Sequence, residues 1–132
     1  MENIAKVLKK EHDVLFAYIF GSYAKGVQNE KSDVDIAVYL KDENILENDQ
    51  LYPSRLAIKI EKILAEKKTV DVRVLNGSTL RFKNQVLRYG KLLFSKDEKK
   101  RIEFETFSLD HYYDFKSHLD MYDAARRARL GV

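Results

Sequence analysis

The most constraining feature of this sequence is a glycine-serine pair at the end of an apolar run. Residues 14–20 are continuously apolar and aromatic, as a buried strand would be, and Gly21 and Ser22 follow at once. Gly21 permits a sharp turn and a close approach of the backbone to a ligand. Ser22 is a favourable N-cap residue, so we expect a short helix whose exposed N–H groups and positive dipole end suit a phosphate.

Two aspartates follow in a second apolar run. Asp33 and Asp35 flank Val34, and residues 36–38 continue the pattern of a strand. Because side chains alternate along a strand, both carboxylates are expected on one face. Adjacent carboxylates repel each other unless a cation lies between them, and such oxygen ligands suit Mg²⁺. This short segment therefore predicts a phosphate cradle beside a divalent-cation site, the combination that nucleotidyl transfer requires.

The Gly-Ser pair and the Asp-x-Asp motif indicate a function only in combination. An isolated Asp-x-Asp is usually a solvated strand face, and an isolated Gly-Ser is usually a turn. Their spacing between two apolar runs favours an active site instead. The chain contains no cysteine nucleophile, and His12, His111 and His118 lack metal-ligand spacing.

A third carboxylate stands on a later strand-like segment. Residues 70–75 alternate between valine and other side chains, which predicts a strand with one apolar face and one mixed face carrying Asp71. If this strand neighbours the one with the paired aspartates, Asp71 can join their site. Spacing alone does not distinguish this role from an ion pair of Asp71 with Arg73 or Lys68.

The spacing of these motifs resembles the signature of the polymerase-β-like nucleotidyltransferases. The strings at 21–26 and 32–38 are similar to the minimal nucleotidyltransferase (MNT, or MntA) antitoxins of HEPN/MNT toxin–antitoxin modules, and the likeness covers essentially the whole chain. The resemblance implies an α/β (α+β) fold, with a small mixed sheet flanked by helices and a C-terminal helical tail. The link from Gly21 to Ser32 is too short for a parallel crossover, which also favours a mixed sheet.

The resemblance also implies roles for individual residues. Asp33 and Asp35 would bind two Mg²⁺ ions, and Asp71 would complete one metal site and help to deprotonate the acceptor hydroxyl. Lys25 stands where many relatives carry arginine; lysine keeps the positive charge but cannot bind a phosphate in a bidentate manner. ATP would be the substrate. The nucleotide would be bound by Gly21, Ser22, Lys25 and Ser32.

The implied activity is the transfer of AMP from ATP to a tyrosine of a cognate HEPN-domain toxin, an RNase that the modification silences. One alternative is an antitoxin that blocks the toxin by contact and keeps a regulatory nucleotide site. Another is a transferase of small molecules, of the aminoglycoside type. Such relatives usually carry an additional helical domain, for which 132 residues are expected to leave no room.

Composition predicts a soluble protein with a single core. The chain is 45% hydrophobic and 34% charged, and it contains no apolar run that suits a membrane span or a secretory leader. A net charge of +3 with interspersed acids does not predict direct nucleic-acid binding. The absence of cysteine fits the cytoplasm, where we expect the protein. We assign residues 1–95 to the nucleotidyltransferase core and 96–132 to a helical extension that packs on the core, a partner, or both.

The extension carries more aromatic residues than one helix face needs. Those between Phe104 and Tyr122 fall on helical spacings but cover more than one face. Core packing and a partner-binding surface each explain part of this pattern. We expect the basic residues at 126–129 to complement the dipole of a helix end. The candidate partner contacts are Tyr112, Tyr113 and Tyr122.

The segments between the motifs predict further elements. Residues 41–48 are polar and predict a loop, whereas 53–64 predict a helix with Ile63 on its buried face. Ser78 is expected to cap another helix that a glycine at position 90 closes. Residues 92–94 predict a last short strand.

Overall fold

The computed structural model of this chain describes residues 2–28, 32–65 and 68–130, with side chains in the last helix described at 98–111, 121 and 124–129. Helices and strands alternate along the chain except that two helices, α3 and α4, lie between β2 and β3. In chain order they are α1 (Glu2–Lys9), β1 (Val14–Phe20), α2 (Ser22–Lys25), β2 (Val34–Leu40), α3 (Asn44–Asn48), α4 (Tyr52–Ile63), β3 (Val70–Val74), α5 (Leu80–Tyr89), β4 (Lys91–Ser95) and α6 (Glu98–Leu130).

The strands form one mixed sheet in the order β3-β2-β1-β4. Strand β1 runs antiparallel to both β2 and β4, whereas β2 and β3 are parallel. The parallel pair is joined by a crossover that contains α3 and α4, because parallel strands need a long connection. The predicted mixed sheet flanked by helices is therefore confirmed.

Alternation along β2 separates two cores on the two faces of the sheet. Ile36 and Val38 point into the larger core, which α1 and α4 close with Leu8, Leu56 and Ile60. Ala37 belongs to the second core, which lies under α5 and α6. By the same period of two, Asp35 lies on the face of α5 and α6. The sheet therefore presents its acidic side chains toward α5.

The first part of α6 is anchored to the second core. The Phe104 ring centroid lies 5.6 Å from that of Phe16 and 5.1 Å from that of Tyr39. The buried hydroxyl of Tyr18 donates a hydrogen bond of 2.6 Å to Glu105 Oε1. At 33 residues, α6 extends over about 50 Å, so it reaches well beyond this anchor. Across the described parts of the chain, no helix is both long and apolar enough to cross a membrane.

Two local predictions are wrong. Residues 44–48 form α3 rather than a loop, because the Asp42 side chain accepts a hydrogen bond of 2.9 Å from Asn44 N–H and starts the helix. Ile63, expected to be buried, is 38% exposed at the end of α4.

The predicted cap of α5 is displaced by one residue. Thr79 rather than Ser78 is the N-cap, and its hydroxyl accepts a hydrogen bond of 3.1 Å from Phe82 N–H. The Ser78 hydroxyl instead donates to the Leu75 carbonyl at 2.6 Å. This cap fixes the first turn of α5, and thereby the position of Phe82.

Gly90 ends α5 by close packing rather than by a left-handed turn. Its φ is −83°, but a Cβ there would lie 2.4 Å from the Val86 carbonyl oxygen and 3.0 Å from that of Ile19. The glycine therefore lets the end of α5 approach β1, which places Tyr89 near α2.

Candidate active site

The turn after β1 is made by Gly21 itself. Its φ of 72° and ψ of −148° lie in a region that is essentially restricted to glycine. Gly21 therefore occupies the N-cap position of α2, and Ser22 is the first helical residue with no side-chain cap hydrogen bond. The predicted N-cap role of Ser22 is wrong, because the backbone of Gly21 completes the turn one residue earlier.

Gly21 lies directly against a carboxylate. Phe20 and Asp35 are paired across β1 and β2, so the turn and the acid meet at the same point of the sheet. A Cβ on Gly21 would lie only 2.4 Å from Asp35 Oδ2, closer than real side-chain contacts come. The sequence therefore needs glycine here for both its conformation and its small size.

The structure brings two of the three predicted acidic residues into register. Asp35 and Asp71 are paired on the parallel strands β2 and β3, and both are half-buried on the α5 face of the sheet. Asp33 is exposed and immediately precedes β2, near enough for its charge to act on Asp35. This confirms that the strand of Asp71 neighbours the strand of the paired aspartates.

The ionisation of Asp35 reflects this crowding. Burial, followed by the negative charges of Asp71 and Asp33, raises the pKa of Asp35 above its ordinary value, and the nearby Arg73 opposes this effect. Repulsion between carboxylates that share one site is relieved by a cation. The electrostatics of the site therefore favour a positively charged ligand.

The crowding predicts a change in stability when the charge is removed. We expect Asp35→Asn to raise the melting temperature of the metal-free chain by about 2–4 °C at pH 7. Because the folded-state pKa of Asp35 is raised, its ionised carboxylate destabilises the folded chain at pH values above the ordinary carboxyl pKa. The gain in melting temperature from asparagine should therefore vanish in acid, at pH values below that pKa.

Thermal melting between acid and pH 8 in the presence of a chelator measures this change. Asp110→Asn removes the same charge from an exposed position on α6, and it is expected to leave the melting temperature unchanged. An Asp35→Asn chain that melts below the wild type at neutral pH would contradict the electrostatic interpretation.

Asp71 is also ion-paired, as its spacing allowed. Arg73 Nε donates to Asp71 Oδ2 at 3.1 Å, and the two side chains are 59% and 47% exposed. In the described ranges, no group of three or more His, Cys, Asp and Glu side chains stands ready to hold a metal ion. The donor set consists of carboxylate oxygens whose mutual repulsion Arg73 offsets only in part, and it nevertheless fits Mg²⁺ once Asp71 leaves Arg73.

Three of the four predicted nucleotide-binding residues lie on one compact turn, and Ser32 lies elsewhere. Lys25 N–H donates to the Gly21 carbonyl at 3.2 Å, so α2 carries Gly21, Ser22 and Lys25 within a single turn. The Lys25 ammonium lies 5.4 Å from the ring centroid of Tyr89 at the end of α5. Ser32 is half-buried immediately before Asp33.

Two aromatic residues at the site escaped the sequence analysis. Phe82 packs edge-on against Phe20, with their ring centroids 5.5 Å apart, and it lies 5.5 Å below the Arg73 guanidinium carbon. Tyr89 is 55% exposed beside Lys25. Both depend on how α5 packs across the sheet, and no short-range pattern signals that packing.

Comparison with known proteins adds a family and a set of relatives. The family model described as "Polymerase beta, Nucleotidyltransferase" matches residues 2–99. A Methanocaldococcus jannaschii protein named "Putative protein adenylyltransferase MJ1379" is 40% identical over 67 residues, which cover 47% of this chain and 60% of that protein. A second protein of the same name and organism, MJ0128, is 38% identical over 66 residues, covering 45% of this chain and 64% of that protein. The chain thus spans less than two thirds of the length of these curated relatives.

Solved structures resemble the chain over nearly its whole length. A chain of a toxin–antitoxin complex with AMP-PNP is 27% identical, with a TM-score of 0.74 and coverage of 94% of this chain and 97% of that one. A chain of an MntA–HepT complex is 25% identical, with a TM-score of 0.66 and coverage of 94% and 95%. A chain from a Shewanella oneidensis complex of a tri-AMPylated HEPN toxin with an MNT antitoxin shares the fold at 23% identity, with a TM-score of 0.64 and coverage of 95% and 98%.

Proposed function

Since this chain belongs to the polymerase-β nucleotidyltransferase family, we propose that it transfers AMP from ATP to a tyrosine of a HEPN-domain toxin and thereby neutralises the toxin. The observation that carries the proposal is the register of Asp35 with Asp71, directly beside the Gly21 turn. The toxin–antitoxin complexes among the structural relatives support the class of partner. The names of the two curated relatives support the class of reaction.

The reaction is an in-line displacement at the α-phosphorus of ATP. The tyrosine hydroxyl oxygen forms a bond to that phosphorus while the bond to the oxygen that bridges to the β-phosphate breaks, and pyrophosphate leaves. Asp71 would help to accept the phenolic proton, as the third carboxylate of the site. Most of the catalysis in such transfers is positioning and charge stabilisation, so few reactive side chains are needed.

Two groups of residues in the chain would support this reaction: the aspartates, which would bind metal, and the turn at Gly21, which would bind the phosphates. Asp33 and Asp35 would hold two Mg²⁺ ions, and Asp71 would complete the site of one of them. Bound Mg²⁺ would lower the pKa of the attacking hydroxyl and neutralise charge on the pyrophosphate. The backbone at Gly21, together with Ser22, Lys25 and Ser32, would hold the phosphates in line with the acceptor. Close contact between the Gly21 turn and Asp35 would keep phosphates and metal side by side.

The proposal is tested by the mass of the partner. The chain is incubated with the proposed HEPN-domain partner, ATP and Mg²⁺, and the partner is weighed by intact-mass spectrometry. We expect the addition of one or more AMP units, and no addition with Asp35→Asn. A partner that is neutralised without a change of mass would show that the chain acts by contact alone.

A contact-only antitoxin is the second candidate, and a surface on α6 offers it a contact away from the acidic site. Phe107 is 56% exposed, stacks on His111 at 3.8 Å between ring centroids, and lines a cavity of about 310 Å³ with Tyr39. Tyr39 lies four residues beyond Asp35 on β2, roughly 13 Å along the strand. A partner could therefore bind here without using the acidic site. Tyr112, Tyr113 and Tyr122, the candidates from sequence, have side chains outside the described residues.

Both candidates predict that Phe107 binds the partner. We expect Phe107→Ala to weaken the complex about tenfold or more, because large aromatic side chains carry much of an interface's energy. The melting temperature of the isolated chain should stay within about 1 °C, since the side chain is exposed.

Phe104→Ala is the matched control. Its ring packs against Phe16 and Tyr39 in the second core, so its loss should lower the free energy of unfolding by about 3 kcal/mol. Titration calorimetry with the partner and thermal melting are run in parallel on both variants. An equal loss of stability in Phe107→Ala would make Phe107 a core residue and remove it from the interface.

A further inference from the structure

Arg73 has a place in the site that the reaction as derived does not use. It lies two residues after Asp71 on the same strand face, and its Nε donates to Asp71 Oδ2 at 3.1 Å. Its positive charge also acts on Asp35, against the repulsion from the neighbouring carboxylates. One guanidinium thus offsets the charge of two of the three acidic residues.

We propose that Arg73 is a positioning residue, an internal counter-ion that holds Asp71 while no divalent ion is bound and releases it when the ion enters. The inference rests on the proposed use of Asp71 as a metal ligand. In the structure the Asp71 carboxylate is ion-paired with Arg73. Entry of a divalent ion must therefore break this ion pair as well as bind the carboxylates.

The ring of Phe82 gives the guanidinium a second contact. The Arg73 guanidinium carbon lies 5.5 Å from the Phe82 ring centroid, and Phe82 is fixed by Phe20 and by the Thr79 cap. A planar guanidinium stacks on an aromatic face and donates in a fixed fork, whereas an ammonium does neither. Arg73 can thus leave Asp71 and keep a favourable contact, so the exchange needs only a side-chain movement.

The inference predicts the sign of an effect on metal binding. Removal of the guanidinium eliminates a competitor for the Asp71 carboxylate. Arg73→Gln should therefore bind Mn²⁺ more tightly than the wild type in the absence of nucleotide. Because the ion pair is largely exposed, we expect a gain of about three- to tenfold.

The experiment measures Mn²⁺ binding to the full chain without ATP at pH 8, by electron paramagnetic resonance of free Mn²⁺. Arg55→Gln is the matched control, since Arg55 is exposed on α4 and ion-paired with Asp49. It should change the affinity by less than about twofold. Arg73→Gln combined with Asp71→Asn should lose the gain, and Arg73→Lys should fall between Arg73→Gln and the wild type.

Unchanged or weaker Mn²⁺ binding in Arg73→Gln, with a circular dichroism spectrum like that of the wild type, would overturn the inference. A gain that persists when Asp71 is asparagine would also overturn it, because the effect would not pass through that carboxylate. The outcome is separable from the proposed function. AMP transfer by the wild type without the Mn²⁺ effect removes this inference alone, and the Mn²⁺ effect without AMP transfer removes the proposed activity alone.

Discussion

Asp35→Asn is expected to lower the rate of AMP transfer at least about 100-fold, while it makes the metal-free chain more stable. The loss follows because an amide carries no charge to hold the divalent ion beside the Gly21 turn. The gain in stability follows because the carboxylate is crowded by Asp71 and Asp33. Opposite signs for activity and stability are typical of a side chain that is placed for function.

Initial rates of AMP incorporation into the partner, at saturating ATP and Mg²⁺, measure the loss. Glu2→Gln removes one negative charge at an exposed position of α1, which packs on the opposite face of the sheet from α6, and its rate should equal that of the wild type. An Asp35→Asn chain that keeps more than about a tenth of the wild-type rate would show that the carboxylate is not essential to the transfer.

Gly21→Ala is the second substitution with a large expected effect. Alanine at a φ of 72° and ψ of −148° is strained, and its Cβ would lie 2.4 Å from Asp35 Oδ2. The Asp35 carboxylate can relieve the contact only by leaving its place beside the turn. We therefore expect a cost of about 2–4 kcal/mol in the free energy of unfolding and a loss of transfer of at least about tenfold in the folded fraction.

Gly26→Ala provides the matched control for the close contact. Gly26 has nearly the same φ, 71°, but among the described residues, its two chain neighbours aside, no atom lies within 4 Å of the position its Cβ would take. Its substitution should cost only the strain of a left-handed residue, about 1–2 kcal/mol, with the transfer rate retained. Chemical denaturation and transfer rates are measured on both variants. Equal effects at the two glycines would mean that the contact between Gly21 and Asp35 has no part in the site.

Much of the site could be predicted from sequence because it depends on strand alternation and on short spacings along the chain. The alternation of a strand and the spacing from Gly21 indicate that Asp35 lies beside the turn, and the register with Asp71 needs only the two strands to be neighbours. The Arg73 ion pair was one of two outcomes that spacing left open, since i and i+2 share a face on a strand.

The remaining features depend on long-range packing or on backbone angles. Phe82 and Tyr89 reach the site because α5 packs across the sheet. No short-range pattern in the sequence of α5 indicates this packing. The turn conformation of Gly21 moved the start of α2 by one residue and so overturned the N-cap role of Ser22. A sequence pattern identifies residue types that suit a turn, but φ and ψ decide which residue makes it.

The proposed reaction transfers the α-phosphorus of ATP with its nucleoside, and labels on the two ends of ATP test it most directly. ATP labelled on either the α- or the γ-phosphorus is incubated with Mg²⁺, the chain and the proposed HEPN-domain partner, and the protein and pyrophosphate fractions are counted. We expect the α-label on a tyrosine of the partner, the γ-label in pyrophosphate, and neither product with Asp35→Asn. A γ-label on the partner, or a neutralised partner that carries no label, would contradict the proposed transfer.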